Sequence, residues 1–327
     1  MKALTRPAHL VVAIAILFLL ARSTWAQDPE LLRHFDYDRH KPLIIKQIGV
    51  QHREHANVYD ISYDSLKGGV VPAYLVVPKG RGPFAAVIWG HWYWENSSMR
   101  NRKEFLDEAI ALAQAGVVSL LTDGPVARPG HVAIKDPLDE RTFTEFFQQV
   151  MDMRRGVDVL LARKDVDRKR IAYVGHSYNA GIGALLSGVD RRFKAFVLMA
   201  GSMSDEIGQQ TKEFKEFRQK LGAEKVDAFI AKTAYLDQGK YVSHAAPAVV
   251  FLQFATRESF LTPERARQHA AIVSEPKRVK FYEAPHSLNA EARRDRIAFL
   301  IEQLKLKPLP EDAIAGIPDL YQPPEPN

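Results

Sequence analysis

Ser177 and His286 are the residues whose types and surroundings first suggest chemistry. Ser177 lies in Ile171-Ala-Tyr-Val-Gly175-His176-Ser177-Tyr178-Asn179-Ala180-Gly181, an apolar run that turns through glycine into small residues. A serine on such a strand-to-helix turn is lifted above the sheet, beside backbone N–H groups that stabilise developing negative charge. The hydroxyl is a poor nucleophile until a base takes its proton. His286, in Tyr282-Glu-Ala-Pro-His286-Ser-Leu-Asn289, sits between the last strand-like and the last helix-like segment. That placement fits the chain order serine, acid, histidine. The plainer readings are a serine that caps a helix and a loop histidine satisfied by the helix it precedes. The glycine expected two residues after the serine is replaced by Asn179, a residue that tolerates unusual backbone angles.

The acid belongs after the preceding strand, where Phe251-Leu-Gln-Phe-Ala-Thr-Arg257-Glu258 offers Glu258 to orient the imidazole. A solvated pairing of Glu258 with Arg257 is the alternative, and Asp205 or Glu206 is the competing source. An oxyanion needs two N–H donors. One is that of Tyr178; the other is that of Trp92 or Tyr93, in Trp89-Gly-His91-Trp92-Tyr93-Trp94. His91, Trp94 and His176 complete the expected pocket. The aromatics either line an apolar acyl or aryl site or close one end of the sheet as core. His52 and His55 read as surface, and Asp123 as a turn former.

The elements that must position these residues alternate regularly. Val58–Tyr63 and Val70–Val77 form a hairpin around Lys67-Gly68-Gly69. Strands follow at Pro83–Trp89, Val117–Leu121, Ile171–Val174, Ala195–Met199, Ala248–Phe254 and Val279–Tyr282. Helices are expected over Arg102–Ala115, Glu140–Arg163, Tyr178–Leu186 and Glu291–Leu304. This is an α/β pattern: a mostly parallel twisted sheet with helices on both faces and an antiparallel edge. The expected organisation is a leader over 1–26, an irregular extension over 27–56, and a domain over 57–306. A charged helical insertion at 205–241 reads as a small cap, and a proline-rich extended tail covers 307–327.

Lys2 and Arg6 precede the apolar run Leu10–Leu20, and Thr24 and Ala26 occupy small-residue cleavage positions. That is a secretory leader, so the chain reads as exported, to the periplasm or beyond, with no stable membrane span after cleavage. The formal charge is +6 with 45 basic and 39 acidic residues, and losing Lys2, Arg6 and Arg22 with the leader brings it to +3. No basic stripe suggests nucleic acid. Cysteine is absent, which excludes thiol nucleophiles and thiolate metal ligands. There is no glycine-rich phosphate loop or dinucleotide fingerprint.

Ile61-Ser-Tyr-Asp-Ser, Val71-Pro-Ala-Tyr-Leu-Val-Val-Pro, Asp165-Val-Asp-Arg-Lys-Arg-Ile-Ala-Tyr-Val-Gly-His-Ser and His286-Ser-Leu-Asn resemble the dienelactone hydrolase and acetyl xylan esterase-like branch of the α/β-hydrolase fold. The likeness runs from about residue 58 to 305. It implies a serine hydrolase with no metal or organic cofactor, acting on a small-molecule ester or acylated substrate. Dienelactone hydrolases proper use cysteine, which this chain lacks. Two other readings stand beside ester hydrolysis. One is a prolyl oligopeptidase-like peptidase, although no propeller repeat precedes the domain. The other is a non-catalytic binding protein that keeps the fold.

Overall fold

The computed structural model describes residues 27–93, 97–258 and 260–319. The leader expected over 1–26 and Trp94 lie outside the described residues. The chain divides into two units, Met1–Asp36 and Tyr37–Asn327. The described part of the first holds the short helix α1 (Pro29–Arg33), capped by Asp28, which accepts the Glu30 N–H at 2.9 Å.

The second unit runs in the order β1 (Ile45–His52), β2 (Ala56–Asp64), β3 (Val70–Pro78), β4 (Phe84–Gly90), α2 (Leu106–Ala113), β5 (Val117–Thr122), α3 (Arg141–Leu161), β6 (Val166–His176), α4 (Tyr178–Val189), β7 (Ala195–Met199). Four helices follow: α5 (Asp205–Gln209), α6 (Lys212–Leu221), α7 (Ala223–Thr233) and α8 (Gly239–Val242). The chain then completes β8 (Val249–Ala255), α9 (Pro263–Ile272), β9 (Lys277–Tyr282), α10 (Ala290–Leu304) and α11 (Glu311–Ala315). Among the described residues no helix is long and apolar enough to cross a membrane.

The strands build one nine-stranded sheet in the order β1-β2-β3-β5-β4-β6-β7-β8-β9. β1, β2 and β3 pair antiparallel, β3 meets β5 antiparallel, and every pairing from β5 to β9 is parallel. All seven residues of β4 and all six of β5 are buried, as strands covered on both faces must be. On one face Val87, Trp89, Val174 and Val197 join Leu112 of α2 and Ile297 and Leu300 of α10 in a single core. On the other, α3 meets Thr122 through Met153. There α4 lies so close that a Cβ on Gly183 would fall 2.4 Å from the Tyr173 ring.

Three segments depart from the sequence reading. β1 occupies part of the extension expected to be irregular. It pairs with β2, yet seven of its eight residues are exposed, so no buried alternation marks it. α9, between β8 and β9, carries no amphipathic pattern, since only Ala266, His269 and Ala270 are buried. The tail expected to be extended contains α11, and beyond it Arg293 donates to the Pro318 carbonyl at 2.9 Å.

Candidate active site

The turn carrying Ser177 follows from the closeness of β6 and α4. Ser177 has φ 54° and ψ −111°, a left-handed conformation rare for a residue with a Cβ. Its N–H donates to the Met199 carbonyl at 2.7 Å, anchoring the turn to β7. A Cβ on Gly175 would sit 2.2 Å from the Asn179 carbonyl oxygen, so the chain can turn this sharply only with glycine there.

Asn179 does not supply the unusual backbone angle expected of it. It lies within α4, fully buried, and its side chain works as a cross-link. Nδ2 donates to the His91 carbonyl at 2.6 Å, and Oδ1 accepts from Gln149 Nε2 at 3.1 Å. The side chain packs over Gly90, where a Cβ would approach it to 2.6 Å. It therefore ties the start of α4 to the end of β4 and to α3.

His286 projects from the turn after β9. Its Nε2 lies 2.8 Å from Ser177 Oγ, and its Nδ1 is hydrogen-bonded to Glu258 Oε2. A carboxylate only accepts, so Nδ1 carries the proton and Nε2 is left to accept from the serine. Glu258 follows β8, and its turn is pinned to the base turn by Thr256 N–H to Tyr282 O and Arg257 N–H to Ala284 O, each 3.0 Å. Glu258 Oε1 is sealed from solvent and meets no donor among the described residues. Neither competing acid is bonded to His286. Asp205 lines the cavity in front of Ser177, and Glu206 donates its N–H to Asp237.

Three expectations for the pocket are corrected. Trp92 is not free to donate to an oxyanion, because its N–H is taken by Glu104 Oε2 at 2.5 Å. His91 lies outside the pocket: its Nδ1 donates to the Trp92 carbonyl at 2.7 Å and its Nε2 accepts the Gly124 N–H at 2.9 Å. Burial holds its pKa below the ordinary histidine value. His176 is also fully buried, with Nδ1 bonded to Glu104 Oε1 at 2.5 Å and Nε2 donating to the His286 carbonyl at 2.9 Å. His52 and His55 are exposed, as read. Asp123, read as a turn former, accepts the N–H of Arg102, 21 residues earlier, at 2.8 Å and so links two separate loops.

Glu104 is the residue that sequence reasoning missed. Its two carboxylate oxygens join the Trp92 turn to His176, and His176 joins them to the backbone of His286. The Trp92 ring stacks on His176 at 5.1 Å and reaches His286 at 6.3 Å. In the sequence Glu104 stands within Arg102-Lys-Glu-Phe105, a charged stretch no different from a solvated helix start.

In front of Ser177 lies a cavity of about 340 Å³, lined by Tyr93, Phe146, Tyr178, Asp205 and Phe260 among others. The Tyr178 N–H is the first of α4 and has no partner within the helix. Burial, with the Asp237 carboxylate adding to it, pushes Asp205 up to about 6. By accessible surface Asp205 is nonetheless exposed where it lines the cavity. The arrangement combines a hydroxyl, a base to take its proton, an acid to orient the base, and a helix N-terminus beside a largely apolar chamber. Those are the parts acyl transfer requires.

The acetyl xylan esterase (AXE1) family model matches residues 43–250, well over half of the chain. An esterase of Thermotoga maritima, Esterase EstD, is 30% identical over 120 residues. That stretch is 36% of this chain and 26% of the relative, so the match spans about a quarter of its length. Among solved structures, acetyl xylan esterases from a Paenibacillus and a Thermoanaerobacterium species superpose with TM-scores of 0.65 and 0.66. They are 17% and 16% identical, covering 84% of this chain and 92% and 93% of theirs. A glucuronoyl esterase from Solibacter usitatus covers 84% of this chain and 91% of its own, with TM-score 0.58 and 13% identity. The sheet is that of the α/β-hydrolase fold, and the chain belongs to the acetyl xylan esterase (AXE1) family of carboxylic-ester hydrolases.

Proposed function

We propose that this protein is an exported serine esterase that cleaves small-molecule carboxylic esters through an acyl-enzyme. Ser177 Oγ attacks the ester carbonyl while His286 Nε2 takes the hydroxyl proton, and the carbonyl π pair moves onto oxygen. The N–H groups of Tyr178 and Tyr93 hold that oxyanion, Trp92 being committed to Glu104. The intermediate collapses, the C–O bond to the alcohol breaks, and His286 returns its proton to the leaving alkoxide. Water, deprotonated by His286, then attacks the acyl-serine and releases the acid. Glu258 keeps the proton on Nδ1 throughout and stabilises the imidazolium.

The observation that carries this reading is the hydrogen-bond chain from Glu258 through His286 to Ser177, opening onto the cavity. Steady-state hydrolysis of acetate esters beside dipeptidyl anilides tests it. The expected result is turnover of the esters alone, falling by at least about 10³-fold in Ser177→Ala. Anilide cleavage exceeding ester cleavage would favour a peptidase instead. Export rests on residues 1–26, and intact mass of the exported fraction is expected to begin at Gln27.

A further inference from the structure

A second cavity adjoins the one at Ser177. It measures about 390 Å³, lies beneath the cap helices α6 and α7, and shares Ser202, Asp205 and Phe260 with the first as common wall. Its lining includes Phe214, Phe217, Phe229 and Ile230 from the cap and Leu261 from the turn before α9. An acetyl group has three heavy atoms and fills the space of a few water molecules at roughly 30 Å³ each. The two chambers are therefore far larger than an acetyl ester of a small alcohol requires.

The lining also selects among bulky groups. Phe214, Phe217, Phe229 and Phe260 in its walls favour another aromatic ring, through edge and face contacts as well as area. Ser202, Ser204, Asp205, Gln209, Thr233, Arg265 and His269 add polar groups to the lining. His269 is 1% exposed, and its Nδ1 accepts the Met203 N–H at 3.2 Å, which leaves the ring proton on Nε2. No acceptor among the described residues is bonded to that N–H. Burial, with Arg265 adding to it, lowers the pKa of His269 to about 4, so the ring is a neutral donor at ordinary pH.

We propose that the cavity under the cap is a specificity site for an oxygen-substituted aromatic group on the ester, with His269 Nε2–H donating to the ring's oxygen. This rests on the ester-hydrolase reading of the adjoining site and narrows it. The ester bond lies at Ser177, and the aromatic group crosses the shared wall at Ser202 and Phe260.

Titration of released acid at constant pH tests the assignment, using methyl acetate, methyl octanoate, methyl 4-methoxycinnamate and 4-methoxybenzyl acetate, with the unsubstituted aromatic parents. At least one methoxy-aryl ester is expected to exceed both aliphatic esters in kcat/KM by tenfold or more. Ile230→Trp, which fills the cavity from the cap, should lower the ratio of aryl to acetate turnover at least tenfold, mainly through KM. His269→Phe should reduce the preference for methoxy over unsubstituted rings about fivefold. Equal kcat/KM across the esters, or octanoate ranking first, overturns the aromatic site while leaving the esterase intact. Failure of every ester, with no covalent labelling of Ser177 by a fluorophosphonate, overturns the esterase reading itself.

Discussion

Among the described residues the Glu258 carboxylate has one bonded partner, His286 Nδ1, and its second oxygen has no donor. The carboxylate is thus committed to the imidazole, and its effect should show in kcat rather than in binding. Glu258→Gln keeps the size but can present an amide N–H to Nδ1 and favour the wrong tautomer. We expect kcat to fall about 10³–10⁴-fold with KM within about threefold, measured by ester hydrolysis. A loss confined to KM would contradict the assignment. The meeting of Ser177, His286 and Glu258 was legible in the sequence because their positions follow a chain order. Trp92, His91 and His176 were misassigned because proximity in sequence does not reveal which backbone and ring nitrogens are already paired. Glu104 decides that pairing for Trp92 and His176, and it stands 72 positions away in the chain from His176.

Elements are held in register by side chains of this kind. Glu104 couples the turn after β4, through His176, to the turn after β9, so the two turns that face Ser177 are joined through one carboxylate. Glu104→Ala leaves His176 buried without its partner and should destabilise by about 3–5 kcal/mol in denaturant unfolding. Glu104→Gln, able to keep one hydrogen bond, should lose less stability yet still lower kcat more than it raises KM. Parallel losses in kcat and stability across both variants would mean that Glu104 only supports the fold. Asn179→Ala removes the link between α4, β4 and α3, leaves the His91 carbonyl and Gln149 amide unmatched, and should cost about 1–3 kcal/mol.

The central strands were readable because burial on both faces demands continuous apolar runs, as in Ala85-Ala86-Val87-Ile88-Trp89. β1 was not readable, because its pairing is supplied by backbone groups and its side chains face solvent. α9 did carry a start signal, since Thr262 caps it, accepting the Arg265 N–H at 3.4 Å, with proline in the first turn. Its lack of an apolar stripe concealed it.

At the scale of the whole molecule, a buried ion pair sets stability, and the raised Asp205 carboxyl sets part of its dependence on pH. Arg296 of α10 and Glu108 of α2 form a pair buried at 2% and 3% exposure, with Nε 2.8 Å from Oε1. Arg296→Met strands a buried carboxylate and should cost about 3–5 kcal/mol, most of it recovered when Glu108→Leu is added. Asp205 acts in the opposite sense. Its folded pKa of about 6 lies above the ordinary 3.8, so its favourable contribution is complete below the ordinary value and lost as pH rises through about 6. Asp205→Asn stays neutral, and its Tm should exceed that of the wild type at pH 7 to 8, with the gain vanishing near pH 4. A gain that is constant with pH would contradict the raised pKa as its cause.

The measurement that bears most directly on the central claim is intact mass after treatment with a fluorophosphonate. It is made on purified protein beginning at Gln27, beside Ser177→Ala and His286→Ala. The account predicts one covalent adduct on the wild type, none on Ser177→Ala, and labelling slowed by orders of magnitude on His286→Ala. A folded wild-type protein that takes no adduct, or one labelled equally in Ser177→Ala, would contradict it.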